Sequence, residues 1–469
     1  MPDRRRVRGD SGRSLMWEVT NVSNSERLSR RGFIRQTAAA GAMGAGAAYF
    51  VPASAMGRAG RVGPNDKIHL GLIGAGGMGR GNLQNCAKYD DVVVTAICDV
   101  WKERRDAAIA QFGGKARGYN DYRELLQQND VDAVIIASPP HWHALQAINA
   151  CEAGKDIYLQ KPMTLHLAES LAVKGAVKKH GRISQVGTQI HASANYHKVV
   201  DHVRSGNLGK ISVARTFNLL NMGAQGVGND PNCDPPPGLD WELWVGPGPM
   251  RPCHPMIIKT SGTHSAFMAY SGGWSPCWAP HIIDLPVWAL DLGLPTMVSS
   301  SGGRYVCRDA GDAHDTQETI LQYPDFTLTW MMSQISSYRF DLKGRVGIYF
   351  HGVNGTLYAD YGTHRIVPEG DRMKDAKEPE KSVPDSPGHE REWLDCIRSR
   401  RQPSCNVFYH HKVNVPIVLG NLSLKLGRSI RLDPVSEKIV GDEEAARLAI
   451  PEYRHPWKFP AQYVESSTS

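Results

Sequence analysis

Apolar and polar positions come in alternating blocks along the first part of the chain. Residues 67–73 form a short apolar run, residues 82–87 suit a helix, and residues 92–97 are apolar again. Residues 121–128 read as a further helix, and residues 131–137 are apolar at nearly every position. A run that is apolar on both faces belongs to a strand covered on both sides. Strand alternating with helix therefore predicts a doubly wound parallel sheet, with its ligand beyond the carboxyl ends of the strands.

The first such strand end carries Gly74-Ala75-Gly76-Gly77-Met78-Gly79. This G-x-G-x-x-G spacing between strand and helix gives a tight turn, close approach of the backbone to a pyrophosphate, and close packing of helix on strand, with the helix N-terminus facing the phosphates. The second strand ends at Asp99, about 20 residues beyond the last glycine, where an acid can accept hydrogen bonds from both ribose hydroxyls and repel a 2'-phosphate. No Arg follows Asp99 directly, although Lys102 is near, so NAD is the expected cofactor. The strand at 131–137 leads into Ser138-Pro139-Pro140-His141-Trp142-His143, which places Ser138, Pro139 and His143 beside the nicotinamide half. His141 and His143 stand only two residues apart on a loop, a poor basis for a metal pair, and no metal is expected.

Charge changes the picture only at the N-terminus. The chain of 469 residues has a formal charge of +7, but residues 1–55 hold nine Arg against four acidic residues, which leaves about +2 for the rest. That distribution disfavours a nucleic-acid partner. Ser29-Arg30-Arg31-Gly32-Phe33-Ile34-Arg35, the uncharged Ala/Gly-rich run after it and Ala53-Ser54-Ala55 have the pattern of a twin-arginine leader with a cleavage site. The apolar stretch is about half of the ~20 residues that a membrane span needs. A periplasmic or otherwise exported protein is expected. The nine Cys are scattered without a CxxC pair, and in an oxidising compartment neighbours among them could bridge.

Ala153-Gly154-Lys155-Asp156-Ile157-Tyr158-Leu159-Gln160-Lys161-Pro162 resembles the A-G-K-H-V-x-x-E-K-P stretch of the Gfo/Idh/MocA oxidoreductases. The resemblance implies that Lys161 points into the cleft between nicotinamide and substrate and handles the proton of the reacting hydroxyl. Gln160 stands where the family usually has Glu, in contact with the cofactor. The likeness continues through residues 185–189 and 203–211. It includes Asp240-Trp241-Glu242-Leu243-Trp244-Val245-Gly246-Pro247, similar to a loop of the family's exported branch. Trp241 and Trp244 offer flat faces for a sugar ring, or pack in the core as most tryptophans do.

Gly272-Gly273-Trp274-Ser275-Pro276-Cys277-Trp278-Ala279-Pro280-His281-Ile282-Ile283-Asp284 is similar to the family's G-G-x-x-x-D-x-G-x-H-x-x-D helix start. His281 keeps the catalytic histidine and Asp284 the downstream acid, but Cys277 replaces the usual aspartate. A thiol is mostly neutral at pH 7 and a poor acceptor, so it cannot copy a carboxylate. Three readings of the Cys277/His281 pair stand: a lost or altered activity, a thiol used as acid or nucleophile, and a metal site recruiting His254 or His264.

The resemblance runs from about residue 67 to 457. It implies an N-terminal α/β Rossmann domain with a doubly wound parallel sheet and a C-terminal α+β domain with a large, open, mainly antiparallel sheet. The expected divisions are a leader at 1–55, the NAD-binding domain at 66–190, a substrate and oligomerisation domain at 191–436, and a tail at 437–469 packed on the body. The expected function is NAD-dependent hydride transfer on a sugar, glycoside or polyol, with tightly bound NAD recycled in place. Lys161, His281 and Cys277 stand at the chemistry, with Asn218, Trp241 and Asp284 at the substrate. Glycoside cleavage by transient ring oxidation is the alternative, and a non-catalytic sugar binder the second. A homodimer or homotetramer is expected through the open sheet face.

Overall fold

A computed structural model describes residues 66–259, 262–337 and 344–465. The twin-arginine segment lies outside the described residues. Six short strands form the first sheet: β1 (Ile68–Ile73), β2 (Val92–Cys98), β3 (Arg117–Tyr119), β4 (Ala133–Ile136), β5 (Asp156–Leu159) and β6 (Ser184–Val186). All pairings are parallel, in the order β3-β2-β1-β4-β5-β6. Strand order reverses between β1 and β4, so the loops that follow these two strands diverge and leave a crevice between them.

The second sheet has nine strands. They are β7 (Ile211–Leu219), β8 (Met297–Gly303), β9 (Thr316–Gln322), β10 (Thr327–Ser333), β11 (Val346–Gly352), β12 (Gly355–Asp360), β13 (His364–Pro368), β14 (Ile430–Asp433) and β15 (Lys438–Ile439). Their order is β13-β12-β11-β7-β10-β9-β8-β14-β15, antiparallel except where β10 runs parallel to β7. Alternation is clear in β9 and β10, where Gln317, Thr319, Leu321, Leu328, Trp330 and Met332 are buried and Glu318, Ile320 and Gln322 are exposed. One face therefore packs on helices, chiefly Pro280–Leu290 and Val407–Leu426, and the other stays open.

The chain does not keep to the two sequence-derived domains after residue 388. Helix His389–Ser399 returns to the first sheet, where Trp393 and Leu394 are fully buried with Leu70, Leu72, Leu83, Ile135 and Tyr158. Arg391 pairs with Asp91 at 3.0 Å, and Arg398 holds the same carboxylate. The physical reason is coverage: the apolar surface of β4 and β5 on this side needs a lid, and the helix supplies one. In the tail, Tyr463 is buried against the first domain and the Trp457 ring meets Trp142 edge-on at 4.8 Å.

All nine cysteines are free thiols, with Cys233 and Cys253 facing each other at 3.9 Å between sulfurs. Among the described residues no helix is long and apolar enough to cross a membrane.

Candidate active site

The crevice opens into a cleft of about 620 Å³ lined from both parts of the chain. Its floor is the glycine turn after β1. Gly74 has φ +90°, and a Cβ there would lie 2.5 Å from the Ser138 backbone nitrogen. A Cβ on Gly79 would lie 2.0 Å from the Gly74 carbonyl, so this glycine serves the packing of helix on strand and does not line the cleft. Gly76 and Gly77 differ, because a Cβ on either would meet nothing within 4 Å. Both line the cleft, and helix Gly77–Ala87 begins there without a side-chain cap. Open space beside uncapped backbone N–H groups is what a pyrophosphate requires. Met78 lies at the same rim.

Asp99 secures this turn. Its two carboxylate oxygens accept from the backbone N–H groups of Ala75 at 2.7 Å and Trp101 at 2.8 Å, and it lines the cleft. Burial pushes its carboxyl above the usual range, against the pull of these two N–H donors. Each oxygen keeps a lone pair for a ribose hydroxyl. The glycine turn, the uncapped helix and this acid fit a dinucleotide.

Lys102 turns outward to Asp106, whereas Arg104 lines the cleft, with its guanidinium 4.6 Å from the Trp101 ring centre and bonded to the Ile258 carbonyl. Sequence reasoning missed both Trp101 and Arg104. An aromatic residue followed three positions later by Arg at a helix start was the available signal.

Ser138 and Pro139 line the opposite wall, and the Ser138 hydroxyl donates to the Gln146 amide oxygen at 2.6 Å. His143 is buried, with Nδ1 2.7 Å from the Pro162 carbonyl and Nε2 2.9 Å from that of Ser138. His141 likewise faces the carbonyls of Tyr270 and Trp244, and burial lowers its pKa to about 4. Both rings staple loops together.

Gln160 donates from Nε2 to the Asn82 amide oxygen at 2.7 Å, while its own oxygen accepts from the Lys161 N–H at 3.3 Å. Asn82 turns its nitrogen to Glu390 at 3.1 Å and to the Tyr158 hydroxyl at 3.2 Å. A glutamate at position 160 could not donate to Asn82, so this network selects the amide.

Lys161, Cys277 and His281 come together on the remaining wall. Lys161 Nζ donates to the backbone carbonyl of Cys277 at 3.1 Å, so the residue at 277 acts here through its main chain. Burial first, and the nearby Lys161 ammonium second, lower the His281 pKa to about 3, with Asp284 pulling the other way. His281 Nδ1 lies 2.6 Å from the Tyr361 hydroxyl. His254 Nε2 bonds instead to the Asp230 carbonyl at 2.7 Å, and His264 lines the cleft. Among the described residues no group of three or more His, Cys, Asp or Glu could hold a metal.

The three expected substrate residues stand elsewhere. Asp284 is fully buried outside the cleft lining and accepts from Thr188 Oγ1 at 2.9 Å, His191 Nε2 at 3.1 Å and the Tyr409 hydroxyl at 2.5 Å. One helical turn after His281 places it behind the histidine, on the side facing helix Val407–Leu426. Burial would raise its carboxyl, but His191 and the other donors outweigh it and hold the pKa below the usual value. Asn218 is buried in β7 and accepts from Gln334 Nε2 at 3.2 Å. Trp241 stacks on Trp244 at 4.9 Å and donates to the Arg251 carbonyl, which leaves Trp244 and Leu243 at the cleft wall.

Residues 68–188 match the family described as "Oxidoreductase family, NAD-binding Rossmann fold", and residues 193–459 match "Oxidoreductase family, C-terminal alpha/beta domain". The inositol 2-dehydrogenase of Salmonella typhimurium is 32% identical over 145 residues, 30% of this chain and 43% of that one. A glycosyl hydrolase family 109 protein of Shewanella pealeana is 29% identical over 157 residues, 31% of this chain and 34% of its own length. The chain thus spans less than half the length of these relatives. The WlbA dehydrogenase of Bordetella pertussis, solved in complex with NADH and UDP-GlcNAcA, superposes with a TM-score of 0.59 at 20% identity, covering 78% of this chain and 99% of that one. At that identity the likeness concerns the fold.

Proposed function

Because the chain belongs to the Gfo/Idh/MocA oxidoreductase family, with an NAD-binding Rossmann domain, we propose that it oxidises a ring carbon of a sugar, glycoside or polyol by hydride transfer. The observation that carries this reading is the shared wall: Lys161 and His281 line the same cleft as Gly76, Gly77 and Asp99. The glycine turn and Asp99 would hold NAD, which when bound would supply the hydride acceptor. Lys161, fixed by the Cys277 carbonyl, presents an ammonium that polarises the reacting hydroxyl. His281, kept uncharged at neutral pH by burial and by Lys161, is the group able to accept the hydroxyl proton. Trp244, Trp278, His264 and Ser265 bound the space beside them, which suits an apolar ring face edged by hydroxyls.

Export by the twin-arginine route is part of the proposal. A protein carried out already folded keeps the nucleotide bound before export. Outside the cell fresh NAD is scarce, so a cycle that oxidises and then reduces without releasing NAD is favoured. The half-exposed Ile320 on the open face of the second sheet is consistent with self-association there.

Likeness to a glycosyl hydrolase family 109 protein supports a second reading, in which transient oxidation acidifies a neighbouring C–H and a leaving group is eliminated. Presenting NAD-loaded protein with free sugars, polyols and aryl glycosides separates the readings. Reduced nicotinamide appearing with a sugar or polyol supports the first. Release of the aryl group without accumulated reduced nicotinamide replaces it with the second. Neither event, with the sugar bound, leaves a non-catalytic binder.

A further inference from the structure

Among the described residues the His281 ring makes one hydrogen bond, between Nδ1 and the Tyr361 hydroxyl. Tyr361 follows β12 at the turn into β13, and that turn is built by Asp360. Its Oδ1 accepts from the backbone N–H groups of Gly362 at 2.9 Å and Thr363 at 2.8 Å, and its Oδ2 from the Tyr358 hydroxyl at 2.8 Å. The hairpin is tied to helix Ala194–Arg204: Asn195 donates to the Asp360 carbonyl at 2.8 Å and its amide oxygen pairs with His364 Nδ1 at 2.7 Å. The Tyr196 ring lies 5.2 Å from that of Tyr361. A turn held at so many points sets the Tyr361 hydroxyl at 2.6 Å from His281 Nδ1, while 43% of the tyrosine remains exposed to solvent.

We propose that Tyr361 is the positioning residue of His281 and the route by which the proton taken from substrate leaves the cleft. This rests on the oxidoreductase reading above. In the resting protein His281 Nδ1–H donates to the Tyr361 oxygen, and the tyrosine O–H donates to solvent. That tautomer leaves the Nε2 lone pair available, and Nε2 has no protein partner among the described residues. When Nε2 takes the substrate hydroxyl proton, an Nε2–H bond forms, the Nδ1–H bond breaks towards Tyr361, and the former tyrosine proton passes to water. The ring ends neutral, the tyrosine ends protonated, and solvent carries the charge. Return of the hydride reverses every step.

The surroundings of His281 call for such an exit. Lys161 faces it from the first domain with a positive charge, Cys277 and Trp278 precede it with no carboxylate, and Asp284 behind it is committed to Thr188, His191 and Tyr409. With a pKa lowered to about 3, the ring can relay a proton at neutral pH but cannot store one. In this chain a phenol occupies the position that a carboxylate holds in many histidine relays.

The test is Tyr361→Phe, which keeps the ring and removes the oxygen from a partly exposed side chain. Two readouts are taken: nitrogen-15 spectra of the His281 ring in the resting, NAD-loaded protein, and turnover with its solvent isotope effect. Expected are loss of the hydrogen-bonded Nδ1–H signal and a fall in kcat of about tenfold or more, with KM within about twofold and NAD binding unchanged. Unchanged ring signals overturn the positioning role, whatever happens to thermal stability. Unchanged kcat and isotope effect overturn the exit route. If no sugar reduces the nucleotide in the parent protein, the oxidoreductase reading fails, while the ring spectra still decide the His281–Tyr361 pair.

Discussion

Lys161 Nζ lies 3.1 Å from the carbonyl oxygen of Cys277, so the lysine takes its bearing from the backbone of the residue whose side chain departs from the family pattern. A carboxylate at 277 is not needed to hold Lys161, and His281 finds its Nδ1 partner in Tyr361. Loss of the aspartate and retention of an ordered Lys161/His281 pair are therefore compatible.

Cys277→Ser should leave turnover within about threefold, because it keeps the carbonyl that Lys161 uses and replaces one small polar side chain by another. Cys277→Asp should raise the His281 pKa from its lowered value, since a nearby negative charge favours the imidazolium. The acid limb of the kcat–pH profile then moves to higher pH. A thiol that acts as nucleophile or acid would instead show Cys277→Ser losing most of its activity.

The glycine turn offers a paired test. Gly76→Val should leave the melting temperature nearly unchanged, since its Cβ enters open space, yet weaken NAD binding by about tenfold or more by occupying the pyrophosphate position. Gly79→Ala should do the reverse damage, because its Cβ would lie 2.0 Å from the Gly74 carbonyl and the helix must shift. A calorimetric melting scan together with an NAD titration reads both.

Gln160→Glu, which restores the family's usual residue, should destabilise this chain by about 1–3 kcal/mol. The carboxylate would face the Asn82 amide oxygen, and turning Asn82 over would put that oxygen against Glu390. The double variant Asn82→Ala/Gln160→Glu should recover part of the loss. Denaturant midpoints check the order of the three proteins.

Acid should weaken the fold in a defined window. Burial holds His141 and His410 down at about 4 and His281 at about 3, against an ordinary value of 6.5. Below pH 6.5 the unfolded chain takes up protons that the folded rings refuse, so stability is full above that pH and falls as the pH drops towards 4. Each pKa unit is worth about 1.4 kcal/mol. The urea midpoint should drop markedly between about pH 7 and pH 5, with His141→Asn flattening the slope if it folds.

The parts of the site legible in the sequence are those that a few consecutive residues determine. The glycine turn, the acid ending β2 and the Gln160-Lys161-Pro162 stretch each lie on one strand end, so their spacing fixes their place. Asp284 and Asn218 stand outside the cleft lining, because helical and strand periodicity say which face a residue occupies, not which neighbour covers that face. Helix Val407–Leu426 brings Tyr409 onto Asp284, and Gln334 arrives on Asn218 from beyond β10. Tyr361 gave no usable signal, since it acquires its role by meeting His281 from a distant part of the chain. The return of residues 389–399 to the first sheet was hidden for the same reason.

Hydride transfer within the cleft is tested most directly by following the hydrogen itself. NAD-loaded protein is mixed with a ring-deuterated sugar or polyol, denatured within one turnover, and the released nucleotide is weighed. The account predicts reduced nucleotide carrying the deuterium, and a strong reduction of that signal in Lys161→Met. Saturable sugar binding with only oxidised, unlabelled NAD released across the full range of sugars, polyols and glycosides would contradict it.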